Sequence, residues 1–326
     1  MLIPYTILAA TAALLTSSNA APTLTPKRTT SYAGFSNLKT IFNFGDSWSR
    51  TGFSATSTQP NPSNPLGNPS YPYRTSANGP NWIAYLTRSY NQSYIETYNF
   101  GTSGATLDKE LITSDFDVVD ELNEIFIPYY ASSENDERVW ESTTTLFSIW
   151  IGVNDINRSY MGSYNSTYAA VFERYASIID SLYGLGARNF LLLNAPPLER
   201  SPTVTGFESA PVRIPRCENA IAVWNGLLEG LVGDIQEQYA DSTVFYLDTN
   251  GLFNEVIDGP GAYEQTEVYK DTLGLCGAYG SGTAEQDTKY DECEYAANEY
   301  LWLNRLHPTS SMHELVAAKA AEVLSG

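Results

Sequence analysis

Four short apolar runs, separated by stretches with helical spacing, constrain this chain more than any other feature. Residues 40–44, 145–151, 189–193 and 243–247 are apolar enough throughout to be buried on both faces, as strands inside a parallel sheet are. Residues 97–100 form a shorter candidate strand. Helical spacing fills the intervals. Residues 81–89 give a short helix. Residues 169–184 place Val171, Tyr175, Ile178, Ile179 and Leu182 on one face and stop at a glycine. Residues 217–239 carry Val223, Trp224, Leu227, Leu228, Leu231 and Ile235, and residues 311–324 start just after Pro308-Thr309. Strand and helix in alternation predict an α/β fold: a mainly parallel sheet with helices on both faces. Hydrophobic residues make up 43% of the chain, ample for one such core. Ligands of these sheets bind beyond the carboxyl ends of the strands. Ser47, Gly104, Asn154 and Asp155 closely follow predicted strands, so they fall at one rim.

Two segments break the alternation. Residues 58–80 are rich in Pro, Asn, Ser and Gly and read as an ordered surface loop, either shaping a cleft beside Ser47 or forming a plain insertion. Residues 259–297 are the other, and they hold two of the three cysteines, Cys276 and Cys293. No internal repeat or linker divides the chain, so residues 39–326 are expected to form a single domain. An apolar stretch from Leu2 to Leu15 runs into Thr16-Ser17-Ser18-Asn19-Ala20, which predicts a signal peptide over residues 1–20 and an N-terminal segment over 21–38. That stretch is too short to favour a membrane anchor. An extracellular destination fits the acceptor sequons at Asn91, Asn157 and Asn165, and predicts one disulfide and one spare thiol. Cys276–Cys293 is the expected pair because both lie in one Gly-rich loop, leaving Cys217 free. A net charge of −19 argues against nucleic acid and against anionic membranes as partners.

Only two histidines occur in 326 residues, His307 and His313. They are six apart and no cysteine pair has ligand spacing, so a metal site is not expected. Histidine is the usual base for activating a hydroxyl near neutral pH. Phe44-Gly45-Asp46-Ser47 ends the first apolar run, and taken alone it reads equally well as a polar turn. No Gly-x-Ser-x-Gly elbow occurs, which weakens an ordinary α/β-hydrolase reading. Further on come Asn99-Phe100-Gly101-Thr102-Ser103-Gly104-Ala105-Thr106, Trp150-Ile151-Gly152-Val153-Asn154-Asp155 and His307-Pro308-Thr309.

In residues and in order, these four blocks resemble those of the SGNH, or GDSL, hydrolases, from about Thr40 to the end of the chain. The resemblance implies a flavodoxin-like three-layer sandwich and a serine esterase without cofactor. It implies Ser47 as nucleophile, with its own N–H, the Gly104 N–H and the Asn154 amide stabilising an oxyanion, and His307 as general base. Asp155 reads as a turn stabiliser and His313 as structural. One departure matters. The family usually has Asp three residues before the histidine, and here that residue is Asn304. An asparagine accepts a hydrogen bond from the ring but offers no charge. The imidazole is therefore held by Asn304, by a backbone carbonyl, or by an acid distant in sequence. Arg50, where an acidic residue is common, is a second departure with no catalytic reading.

Pro65-Leu66-Gly67-Asn68-Pro69, Ser76-Ala77-Asn78-Gly79-Pro80-Asn81-Trp82, Pro196-Pro197-Leu198-Glu199-Arg200-Ser201-Pro202 and His307-Pro308-Thr309 with His313-Glu314 resemble the secreted fungal acetylesterases of carbohydrate esterase family 16. That implies an acetylated oligosaccharide as substrate, on a secreted enzyme expected to be a monomer. Trp48 reads either as a sugar-stacking ring or as a core indole. The rival readings are a secreted lipase or phospholipid acyl hydrolase or transferase on the same scaffold, and a cell-wall carbohydrate-binding protein.

Overall fold

β1 (Thr40–Gly45) lies at the point where the chain changes direction across its sheet. It pairs in parallel with β2 (Glu96–Asn99) on one side and with β3 (Thr145–Trp150) on the other. β4 (Asn189–Leu193) and β5 (Thr243–Leu247) continue in parallel beyond β3, giving the order β2-β1-β3-β4-β5. The computed structural model describes residues 31–131 and 140–326. The expected signal peptide and its cleavage point at Ala20 lie outside the described residues. β1, β3 and β4 are buried along their whole length, which is why they read as mostly apolar runs, and Asn43 and Ser148 within them are hydrogen-bonded to each other. β5 is partly exposed, as an edge strand is.

Helices cover both faces, as expected. α1 (Trp82–Arg88) packs on α8 (Ser310–Ser325), and α4 (Asn165–Gly184) packs on α6 (Ala210–Gln238). The bounds of α6 differ from expectation: it begins seven residues earlier, through Pro211 and Pro215. Pro211 is in the first turn, where its missing N–H has no partner to lose. Other helices were not among those expected. α2 (Val118–Asp120) runs on as a wide π-type helix, Glu121–Ala131, whose period and Pro128 hide it from a 3.6-residue pattern. α3 (Val153–Ser159) is only seven residues long. α5 (Pro202–Thr205) is a single turn. α7 (Thr249–Asp258) had a readable signal in Asp248, whose side chain accepts the Gly251 N–H at 2.9 Å, and in buried Leu252, Phe253, Val256 and Ile257.

The strand order is that of flavodoxin-like sheets, whose ligand crevice lies between β1 and β3. Gly45 and Trp150 are register partners at the ends of those strands, so Ser47 and the start of α3 emerge side by side. Gly152 makes the turn into α3 at φ +129°, a backbone region that side chains avoid. A Cβ there would stand 2.6 Å from the indole of Trp224, which is buried under α3. Gly152→Ala is expected to cost about 3 kcal/mol from strain and overpacking together. A melting temperature equal to wild type would contradict this account of the turn that carries Asn154.

Candidate active site

Ser47 sits in a tight turn closed by Ser49 and Arg50 N–H groups, both donating to Asp46 O at 3.0 Å. The turn is fixed from below by buried amides. Asn99 Nδ2 donates to Ser49 O at 2.6 Å, Asn81 Nδ2 donates to the same carbonyl at 2.7 Å, and Trp82 Nε1 donates to Ser49 Oγ at 2.9 Å. Glu121 accepts the Gly45 N–H at 2.9 Å, and its burial raises its pKa well above the usual carboxylate range. None of these supporting roles was read from the sequence. They depend on segments far apart in the chain meeting under one turn.

His307 Nε2 lies 2.8 Å from Ser47 Oγ, across 260 residues of sequence. The histidine is carried at the tip of a loop pinched by Leu303 N–H donating to His307 O at 2.9 Å, just before α8. Asn304 is inside that loop. Its Oδ1 accepts the backbone N–H groups of Leu306 and of His307, each at 3.0 Å, and stands 3.0 Å from His307 Nδ1. Two backbone donors identify that atom as the amide oxygen. An oxygen facing Nδ1 requires the proton to be on Nδ1, so Nε2 presents a lone pair to the serine hydroxyl. Of the three ways to hold the ring, the structure brings Asn304 to it; among the described residues no carboxylate forms an ion pair with His307.

Burial lowers the His307 pKa from 6.5 to about 4. The ring is therefore neutral, and able to accept a proton, at every pH above about 4. If His307 is the base, kcat/KM is expected to hold level from neutral pH down to about 5 and to be halved near 4. An acid limb centred near 6.5 would contradict the burial that the structure gives the ring. His313 is buried against Trp48 and Trp150, and its pKa is lowered to about 3, first by burial and then by His307. Its Nδ1 has no hydrogen-bond partner among the described residues. Trp48 is 1% exposed and packs on Trp150 and Phe253, so it belongs to the core and cannot stack on a sugar.

Gly104 follows β2 at φ +78°. Neither its N–H nor that of Ser47 has a protein acceptor among the described residues. Asn154 is buried at the start of α3, and its Nδ2 donates to Ala105 O at 2.9 Å and to Asp46 Oδ2 at 3.2 Å. Its amide is thus held between the Gly104 block and the residue before Ser47. Asp155 accepts the Leu107 N–H at 3.0 Å, a second tie between the start of α3 and the Gly104 block. Burial pushes Asp46 and Asp155 each up to about 7.

A groove of about 570 Å³ opens at His307 and Asn304. One wall is the 58–80 loop, with Tyr71, Tyr73 and Asn78; the other is residues 280–286. Asn78 Oδ1 accepts the Thr283 N–H at 2.7 Å and joins the walls. Cys276 and Cys293 are bonded, closing the loop that contains the second wall, and Cys217 is free and buried in α6. Asn165 is exposed at the start of α4, Asn157 is inside α3, and Asn91 is half-buried with its Nδ2 donating to Ser93 O at 2.7 Å. Among the described residues no group of side chains is arranged to hold a metal ion, and no helix is long and apolar enough to cross a membrane.

Residues 41–320 match the GDSL-like lipase/acylhydrolase family. An acetylesterase of Thermothelomyces thermophilus is 31% identical over 293 residues, covering 89% of each chain. A GDSL esterase/lipase of Arabidopsis thaliana is 24% identical over 187 residues, covering 54% of this chain and 50% of the plant protein. Among solved structures, an acetylxylan esterase from Geobacillus stearothermophilus superposes with a TM-score of 0.48 at 16% identity, covering 88% of this chain and 94% of that one.

Proposed function

This chain belongs to the GDSL-like lipase/acylhydrolase family and is an ester hydrolase, and on that premise we propose that it removes acetyl groups from sugar hydroxyls by a Ser47–His307 acyl-enzyme mechanism. The observation that carries the acetyl specificity is the likeness to an acetylesterase over nine-tenths of both chains. The groove supports the sugar part: its lining mixes polar and apolar groups, it lies beside His307, and Tyr71 in its wall is exposed.

His307 Nε2 takes the proton of Ser47 Oγ as that oxygen attacks the acetyl carbonyl. The Nδ1–H bond to Asn304 Oδ1 keeps the ring in the tautomer that can do this. The oxyanion meets the Ser47 and Gly104 N–H groups, both without another acceptor. It competes with Asp46 for one N–H of Asn154, the longer of that residue's two bonds. His307, now protonated, gives its proton to the leaving sugar oxygen. A water then repeats the sequence on the acetyl-Ser47 ester. No step requires a cofactor.

Residues 1–20 act in this account as a signal peptide and 21–38 as a leader to a single secreted domain, with a monomer as the working unit. Asn165 is the most accessible of the three sequons for a glycan. The test is a comparison of rates on an acetylated xylo-oligosaccharide, 4-nitrophenyl acetate and a long-chain 4-nitrophenyl ester. Cleavage of both acetyl esters with little of the long chain is expected. A preference for the long chain makes the enzyme a lipase, and no cleavage of any of the three leaves a binding protein.

A further inference from the structure

The chain carries 37 acidic and 18 basic residues, so an arginine has carboxylates to spare around it. Lys109, Arg174, Arg188, Arg200, Lys270 and Lys319 each form an ion pair. The other nine described basic residues form none among the described residues, and two of them, Arg213 and Arg305, meet in one place. The exposed ring of Phe207 has two guanidinium groups against it, Arg213 at 4.2 Å and Arg305 at 4.6 Å from its centroid. Arg213 is held there by Ser209 Oγ at 2.8 Å and Tyr160 OH at 2.7 Å. Arg158 donates to the carbonyls of Thr113 and, at 3.0 Å, of Gly104. Arg305 donates to no acceptor among the described residues, so its N–H groups are all available. Glu208, the acidic residue in the same loop, forms no ion pair among the described residues. The positive end of the long helix α6 adds to this potential, with no acidic residue in its first turn.

Two of these arginines adjoin the residues of the candidate active site. Arg305 is two residues before His307, and Arg158 is bonded to the carbonyl of the oxyanion glycine. Two like charges on one ring, beside an active site and with no anion between them, make a site that lacks its anion. We propose that Arg305 and Arg213, stacked on Phe207, bind a carboxylate on the substrate, so that acetylated oligosaccharides bearing a uronic acid side group are preferred over neutral ones. This rests on the acetylesterase reading above. A planar guanidinium fork matches a carboxylate in two parallel hydrogen bonds. An anionic bilayer fits less well, because the chain as a whole carries a charge of −19 and is repelled by it.

The test compares kcat/KM on two acetylated xylo-oligosaccharides, one neutral and one carrying a uronic acid, for wild type and for Arg305→Gln. Wild type is expected to favour the acidic substrate by about tenfold or more, the scale of one charge-assisted hydrogen bond. Arg305→Gln is expected to lose that preference through KM, leave the neutral substrate unchanged, and mimic wild type in high salt. Equal rates on both substrates in wild type, or an equal fall on both in the variant, would overturn the proposal. So would Arg305-dependent binding to phosphatidylglycerol vesicles without any effect on the acidic sugar. If neither sugar is deacetylated by wild type, the acetylesterase reading has failed first.

Discussion

Ser47→Ala is expected to lower kcat on 4-nitrophenyl acetate by on the order of 10⁴–10⁶, the loss seen when a serine hydrolase is deprived of its nucleophile. Stability should barely change. The side chain is small, and its bond to His307 is the contact that goes. The turn itself is held by Asn81, Asn99 and Trp82, which the substitution does not touch. His307, Asn304 and the two free N–H groups also remain, so any residual rate measures the oxyanion site and the groove without the nucleophile. A loss smaller than tenfold, in a variant that melts like wild type, would remove Ser47 from the mechanism.

Asn304→Ala should cost about 10²–10³ in kcat. An asparagine in place of the usual aspartate would ordinarily be a poor partner: in a serine protease that exchange costs about 10⁴, because it allows the wrong ring tautomer. Here the amide cannot turn over freely. Its oxygen accepts two backbone N–H groups, and a flip would set Nδ2 against both of them. The correct tautomer is therefore kept by loop geometry and not by charge. Removing the side chain leaves three donors without their acceptor and frees the ring. Asn304→Asp should retain activity, because a carboxylate accepts the same three bonds, but it should raise the His307 pKa from about 4. The sign follows directly. A negative partner favours the imidazolium, so the acid limb of kcat/KM moves to higher pH and activity near pH 5 is lost. Full activity in Asn304→Ala, or an unmoved acid limb in Asn304→Asp, would mean the ring is held by something else.

The sheet was legible because strands of a parallel sheet are mostly apolar along their length, and residues 40–44, 145–151, 189–193 and 243–247 are, although β5 proved partly exposed at the sheet edge. The Ser47–His307 pair, which the structure brings within 2.8 Å, was legible because each residue lies beside the end of an element and because histidine is scarce. The orienter was visible only as a departure. What makes Asn304 suitable is the return of the Leu306 and His307 N–H groups onto its oxygen, which no pattern of residue types announces. The groove has the same character. Asn78 and Thr283 join its walls across 205 residues, and composition marked both loops without pairing them. The arginine pair was hidden for a related reason: Arg213 and Arg305 are unremarkable one by one, and only folding brings them to one ring.

The central claim is that an acetyl group passes from a sugar to Ser47 by way of His307. Acid quenching of the enzyme during turnover of an acetylated xylo-oligosaccharide, followed by peptide mapping, tests it most directly. The account predicts an acetyl ester on the peptide containing Ser47, and none on the corresponding peptide of Ser47→Ala. An acetyl group on another side chain, or unimpaired turnover by Ser47→Ala, would contradict it.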